Sequence, residues 1–268
     1  LKKIIGFIGA GNMGQAMVGG IVKSKLLQPQ QVMMADRSEE RLKVVSKEYG
    51  IKVNTDNKEV AKNADVLILS VKPNIYAPVI EEIKDIVKED VIIITIAAGK
   101  DISGTEKGFG RKLKVVRAMP NTPALVGEGM TSISPNEKLS NEEIDEVVKI
   151  LKSFGKVEIV NEKLMNAVTS VSGSSPAYVF MFIEAMADGA VLDGIPRDQA
   201  YRMAAQAVLG SAKMVLDTGM HPGALKDMVC SPSGTTIEAV TTLEKTGFRA
   251  AVISAMKSCT NKSIEMSK

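Results

Sequence analysis

Two turns rich in glycine and hydroxyl residues carry most of the chemistry that this sequence offers. The first is Gly9-Ala10-Gly11-Asn12-Met13-Gly14, a G-x-G-x-x-G run. It stands between an apolar stretch, Ile4-Ile5-Gly6-Phe7-Ile8, and a run of small and apolar residues from Met13 to Val22. A strand that turns at once into a helix needs one glycine for the tight turn. It needs a second where a phosphate approaches the main chain, and a third where helix and strand lie close. Gly9, Gly11 and Gly14 occupy those places, with Asn12 and Met13 opening a helix whose amino-terminal N–H groups favour anions. The chemistry predicted is a grip on a dinucleotide pyrophosphate.

Farther on, Asp36-Arg37-Ser38 ends a second apolar run, Val32 to Ala35. A carboxylate at that point suits the adenine ribose hydroxyls of NAD, whereas an arginine and a hydroxyl suit the extra 2′-phosphate of NADP. Ser38 serves equally well as the N-cap of the next helix. The second turn is Cys230-Ser231-Pro232-Ser233-Gly234-Thr235-Thr236. It is broken by proline and leads into an amphipathic helix, so its main-chain N–H groups offer a seat for a carboxylate. An ordinary capping box between Thr235 and Glu238 is the competing reading of the same residues.

The elements that must position these turns follow from hydrophobic period. Apolar runs at Ile4–Ile8, Val32–Ala35, Val66–Leu69, Val91–Thr95 and Lys114–Arg117 read as buried strands. Helical patterns fill Met13–Val22, Ser38–Glu48 and Ile75–Ile86. Alternation of this kind predicts a parallel, doubly wound sheet. Ser140-Asn141-Glu142-Glu143 has the form of a capping box for a helix through about Phe154, Lys156 to Val160 adds a last strand, and the sheet domain closes near Asn161. After that point strand signals fade. Proline-started helices are expected after Ser175, Ile195 and His221, with two more at Thr236–Lys245, ended by Gly247, and from Phe248 onward. Ala177 to Leu192 is apolar on nearly every face, which predicts burial in a subunit interface.

Composition narrows the classes. In 268 residues, 45% are hydrophobic and 24% charged, which suits a folded chain of two domains. The net charge is +3, without a long single-sign block, so nucleic acid and membrane surfaces are not expected as partners. Cys230 and Cys259 form no metal or disulfide pattern, and a lone His221 cannot complete a histidine-rich metal site, so no metal is expected and a reducing, cytoplasmic setting fits. Leu1-Lys2-Lys3 leads into an apolar run too short for a secretory signal, and no stretch approaches roughly 18 to 20 uninterrupted apolar residues. The methionines, 15 in all, read as adaptable core filling.

The stretch from His221-Pro222-Gly223 to Glu238 closely resembles the signature region of the pyrroline-5-carboxylate reductases. The resemblance runs the whole chain: Gly6 to Gly14, Ser70-Val71-Lys72-Pro73, Arg117-Ala118-Met119-Pro120-Asn121-Thr122-Pro123 and Ser172 to Tyr178 follow in that family's order. It implies an α/β Rossmann-like, doubly wound, mostly parallel sheet over residues 1–161. Residues 162–268 then form an all-α dimerisation and substrate-binding domain, with an active site completed by helices of a partner copy. The reaction implied is NAD(P)H-dependent reduction of a cyclic imine by a homodimer, or a higher homo-oligomer such as a ring of dimers. NADPH is the expected coenzyme, with NADH also accepted, and the small-molecule substrate is anionic.

Carried over by position, the main-chain N–H groups of Gly234, Thr235 and Thr236 hold the substrate carboxylate, Ser231 assists, and the Thr236 hydroxyl faces the ring nitrogen as the catalytic group. Val71, Lys72 and Pro73, with Ala97, Met119, Pro120 and Asn121, border the nicotinamide and its ribose, and Asn57 meets the adenosine ribose. Many NADP-using relatives have an uncharged residue where this chain has Asp36. A β-hydroxyacid dehydrogenase shares the layout but wants a catalytic lysine on a second-domain helix. Lys163 and Lys213, the available candidates, do not sit in such a motif.

Overall fold

The computed structural model describes residues 2–267. An eight-stranded sheet has the order β3-β2-β1-β4-β5-β6-β7-β8. Its first half alternates with helices: β1 (Ile5–Ile8), α1 (Asn12–Lys23), β2 (Val32–Ala35), α2 (Glu39–Tyr49), β3 (Lys52–Asn54), α3 (Asn57–Asn63), β4 (Val66–Leu69) and α4 (Tyr76–Ile83). The second half holds β5 (Ile92–Thr95), α5 (Ile102–Phe109), β6 (Lys114–Met119), β7 (Gly129–Pro135), α6 (Asn141–Leu151) and β8 (Gly155–Ile159). Every pairing is parallel except that of β6 with β7.

Period-two burial explains the layers. Ile68, Ile92 and Ile94 point to the face covered by α1, α2 and α6, where Met17, Ile21, Val45 and Ile150 meet them. Their neighbours Leu67, Leu69 and Ile93 point to the other face, against Val60 of α3, Ile80 and Ile83 of α4, and Phe109 of α5. A strand buried on both faces reads as an unbroken apolar run, which is why these strands were visible in the sequence.

Sequence reading missed four elements before Asn161. β3 is three residues long at the sheet edge, and β7, Gly-Met-Thr-Ser-Ile-Ser-Pro, reads as turn residues. Its pairing with β6 is antiparallel, so the sheet is mostly parallel, as expected. The short helices α3 and α5 lack a clear apolar period and are started by caps: Asp56 accepts from Lys58 N at 2.9 Å and Asp101 from Gly104 N at 2.7 Å. The capping box at Ser140 forms as expected, with Ser140 Oγ accepting from Glu143 N at 3.3 Å and Glu143 Oε2 from Ser140 N at 3.1 Å.

By their contacts the residues fall into two compact units, one running to Ser174 and resuming at Cys259, the other Ser175–Ser258. In the first unit, α7 (Met165–Val168) runs into a π-helical turn over Thr169–Gly173. α8 (Ser175–Leu192) starts after Ser174, with Pro176 in its first turn, where the sequence suggested a helix start. Proline cannot donate to the carbonyl four residues back. Asn121 Nδ2 takes that place and donates to Ser172 O at 2.9 Å.

The second unit holds α8, α9 (Arg197–Thr218), α10 (Pro222–Val229), α11 (Thr235–Lys245) and the start of α12 (Phe248–Met266). Pro222 opens α10 at its first position, while Pro196 stands one place earlier, as the N-cap of α9. Glu162–Leu192 is, by length and composition alone, a helix that could cross a membrane, although it is not an uninterrupted apolar run. Glu162, Lys163, Glu184, Asp188 and several serines interrupt it, yet its average is apolar. α8 buries only Ala187 within this chain, and Phe180 and Met181 are 62% and 69% exposed.

Candidate active site

The glycine loop separates three demands on one backbone. Gly9 has φ +108°, outside the range that other residues adopt readily, and a Cβ there would lie 2.5 Å from Ser70 O. Ser70 Oγ donates to the Gly9 carbonyl at 2.7 Å, fixing the turn from the β4 side. A Cβ on Gly14 would meet that same carbonyl at 2.5 Å. Gly11 differs: its φ is −73°, open to any residue, and no atom lies within 4 Å of where a Cβ would stand. The protein's own packing therefore requires Gly9 and Gly14. Gly11 is required only by something that rests on the loop, as a pyrophosphate would.

Two depressions of about 480 and 560 Å³ open beside this loop and share Gly11, Ser70, Val71, Lys72 and Arg41. Asn12, Met13, Pro73, Ala97 and Pro120 line the first, together with Ile96 and Ala98, which sequence reading did not single out. Gly9, Asp36, Arg37 and Asn57 line the second. Among the expected coenzyme residues, Gly14, Ser38, Met119 and Asn121 line neither. Asn121 is 8% exposed, and its amide is engaged in the fold, donating to Ser172 O and accepting from Met130 N at 2.8 Å. Ser38 caps α2, accepting from Arg41 N at 3.4 Å.

Asp36 turns inward. Its Oδ2 accepts from Ala10 N at 2.7 Å, which ties the glycine loop to the end of β2, and its Oδ1 from Ser38 N at 2.9 Å, which closes the turn into α2. What remains for a 2′-phosphate is cationic. Arg37 and Arg41 flank the larger cavity, and among the described residues neither guanidinium is in an ion pair. Arg41 was missed because its signal is geometric: it lies one helical turn after Arg37, in the first turn of α2. Gly-loop, free guanidinium groups and an apolar shelf at Ile75, Pro78 and Val79 fit a bound NADP.

In the second unit, Ser231 to Thr236 forms the expected turn. Ser233 takes a left-handed φ of +57°, and Gly234 N donates to Ser231 O at 3.1 Å. A Cβ on Gly234 would lie 2.3 Å from Ser231 Oγ, so glycine lets that hydroxyl crowd the helix start. Gly234 is the N-cap of α11 and makes no side-chain cap, which corrects the Thr235–Glu238 capping box. The Gly234 N–H is spent within the turn, and the first-turn amides of Thr235 and Thr236 are the donors left for an anion. His221 caps α10, its Nδ1 accepting from Gly223 N at 3.0 Å. Lys213 pairs with Asp217 along α9, as a solvated helix face does.

A mostly parallel sheet with a phosphate-binding glycine loop and a free-guanidinium pocket defines a nicotinamide-dinucleotide oxidoreductase. Residues 4–99 match the family described as NADP oxidoreductase, coenzyme F420-dependent, and residues 162–266 match pyrroline-5-carboxylate reductase dimerisation. A pyrroline-5-carboxylate reductase of Escherichia coli (strain K12) is 52% identical over 268 residues, with 100% of both chains covered. A solved pyrroline-5-carboxylate reductase from Coxiella burnetii superposes with a TM-score of 0.93 at 34% identity, covering 100% of each chain. The Plasmodium falciparum pyrroline carboxylate reductase, solved with NADP bound, gives 0.91 at 31% identity, covering 100% of this chain and 99% of that one. The chain belongs to the pyrroline-5-carboxylate reductase family.

Proposed function

We propose that this protein reduces the ring C=N bond of 1-pyrroline-5-carboxylate to give L-proline, with NADPH as the preferred hydride donor and NADH as a second one. The observation that carries the reading is the 52% identity to the Escherichia coli reductase across the whole chain. The reaction adds a hydride to the imine carbon and a proton to the ring nitrogen. Bound nicotinamide supplies the hydride. The chain's own groups do the rest.

The Thr235 and Thr236 amides, at the positive end of α11, hold the substrate carboxylate with Ser231 beside them. The Thr236 hydroxyl donates to the ring nitrogen and steadies it as the imine becomes an amine. No His–Asp pair is needed, because a cyclic imine nitrogen is basic enough to accept a proton through one hydroxyl. His221 is already committed to capping α10. In the first unit, Val71, Lys72, Pro73, Ala97 and Pro120 shape the nicotinamide end of the cavity, and Asn57 with Arg37 and Arg41 shapes the adenosine end. Rate comes chiefly from positioning the reacting carbon.

Residues 1–161 are assigned to the coenzyme domain and 162–268 to dimerisation and substrate binding, in a cytoplasmic homodimer or a ring of such dimers. Free thiols at Cys230 and Cys259 agree with a reducing compartment. The test is oxidation of NADPH dependent on pyrroline-5-carboxylate, repeated with Thr236→Ala. Loss of one hydrogen bond made mainly in the transition state lowers kcat by about ten- to hundredfold. An unchanged kcat would remove Thr236 from the mechanism.

A further inference from the structure

The adenosine end of the coenzyme cavity contains a charge of the wrong sign for its ligand. Arg37, Arg41 and Lys72 suit a polyanionic dinucleotide, but Glu82 of α4 lines the same cavity. The other carboxylate there, Asp36, is consumed by the N–H groups of Ala10 and Ser38. Glu82 has no such structural duty. Its partner among the described residues is Asn57, whose Nδ2 donates to Glu82 Oε2 at 2.8 Å, across 25 residues of chain.

That bond orients the carboxylate and leaves Oε1 as an acceptor, since an ionised carboxylate can only accept. Ile75, Pro78 and Val79, in and just before the same helix, give this end of the cavity an apolar shelf suited to a flat ring. Adenine carries one strong donor, its exocyclic 6-amino group. Resting on the coenzyme reading above, we infer that Glu82, held by Asn57, selects the adenine base by accepting a hydrogen bond from that amino group. Asn57 Oδ1 stays available to the ribose. A base with a carbonyl at position 6 would set one acceptor against another at that place.

The probe is nicotinamide hypoxanthine dinucleotide phosphate, which differs from NADPH in having that carbonyl in place of the amino group. The full-length wild-type protein is expected to use the hypoxanthine coenzyme with kcat/KM lower by roughly ten- to hundredfold, mostly through KM. In Glu82→Gln, whose amide can present either an acceptor or a donor, the two coenzymes fall within about twofold of each other. The two coenzymes carry equal charge, so their ratio within one variant cancels both the altered field of the cavity and any general loss of stability.

Equal use of both coenzymes by the wild type would overturn the inference, and so would a ratio that Glu82→Gln leaves unmoved. Coenzyme dissociation constants from nicotinamide fluorescence give the same comparison without turnover. Inert pyrroline-5-carboxylate with intact discrimination in binding would therefore sink the proposed reaction and leave Glu82's role standing.

Discussion

Gly11 and Gly14 separate two reasons for keeping a glycine. At Gly14 an added Cβ runs into the Gly9 carbonyl, so Gly14→Ala is expected to lower the melting temperature as well as coenzyme affinity. At Gly11 the added methyl meets nothing and the backbone is already compatible, so Gly11→Ala leaves the melting temperature unchanged or slightly raised. It still raises the NADPH dissociation constant at least about tenfold, because pyrophosphate can no longer reach the main chain. Thermal melts and coenzyme titrations of the two variants check the contrast, and a Gly11→Ala protein with normal affinity would contradict it.

Asp36 and Arg41 form a second pair at the same scale. Removing the Asp36 clamp weakens NADPH and NADH alike, whereas Arg41→Ala weakens NADPH by about tenfold and spares NADH. Parallel KM measurements with both coenzymes separate the two roles. The sequence revealed the positions of the three glycines, since the motif encodes backbone geometry. It could not reveal the direction of Asp36, which depends on the Ala10 N–H arriving within 2.7 Å once the loop has folded.

At the scale of elements, legibility followed burial and local caps. Strands apolar on both faces and the helix behind Ser140 were visible because the signal lies within a few residues. β7 was not, since its reason for being a strand is pairing with β6 and β8. The π turn at Thr169–Gly173 and its tie to Asn121 were equally hidden, being a long-range answer to Pro176. Asn121→Ala leaves the Ser172 carbonyl and the Met130 amide without their partner, and calorimetry is expected to show a loss of about 2 to 4 kcal/mol.

The capping box carries a pH signature. Burial alone would raise the Glu143 carboxyl, but Lys114, 2.7 Å away, and the Ser140 N–H outweigh it and hold the group below its ordinary range. A folded-state value below the unfolded one means stability that is present above about pH 4 and lost as the pH falls below it. Glu143→Gln is therefore less stable than wild type at neutral pH, and the gap in melting temperature narrows on acidification. A gap independent of pH would mean that the Lys114 pair contributes nothing.

At the scale of the molecule, the first unit has a complete two-faced core, while the second does not. Within Ser175–Ser258 the buried hydrophobic residues are Ala187, Ala200, Ala204 and Leu225, and Phe180, Met181 and Leu192 are 62%, 69% and 87% exposed. That much uncovered apolar surface marks an association face, and residues 162–266 match a dimerisation family. The sequence pointed the same way through the all-round apolar pattern of α8, since a helix without a polar face calls for cover on more than one side. Placing charges there, as Phe180→Glu with Met181→Lys, should yield a monomer in sedimentation and remove imine reduction, since the second unit then lacks the surface that completes it. Coenzyme affinity should stay within about twofold of wild type, because every residue lining the two depressions beside the glycine loop belongs to the first unit. Loss of NADPH binding along with the dimer would mean that the coenzyme site, too, depends on association.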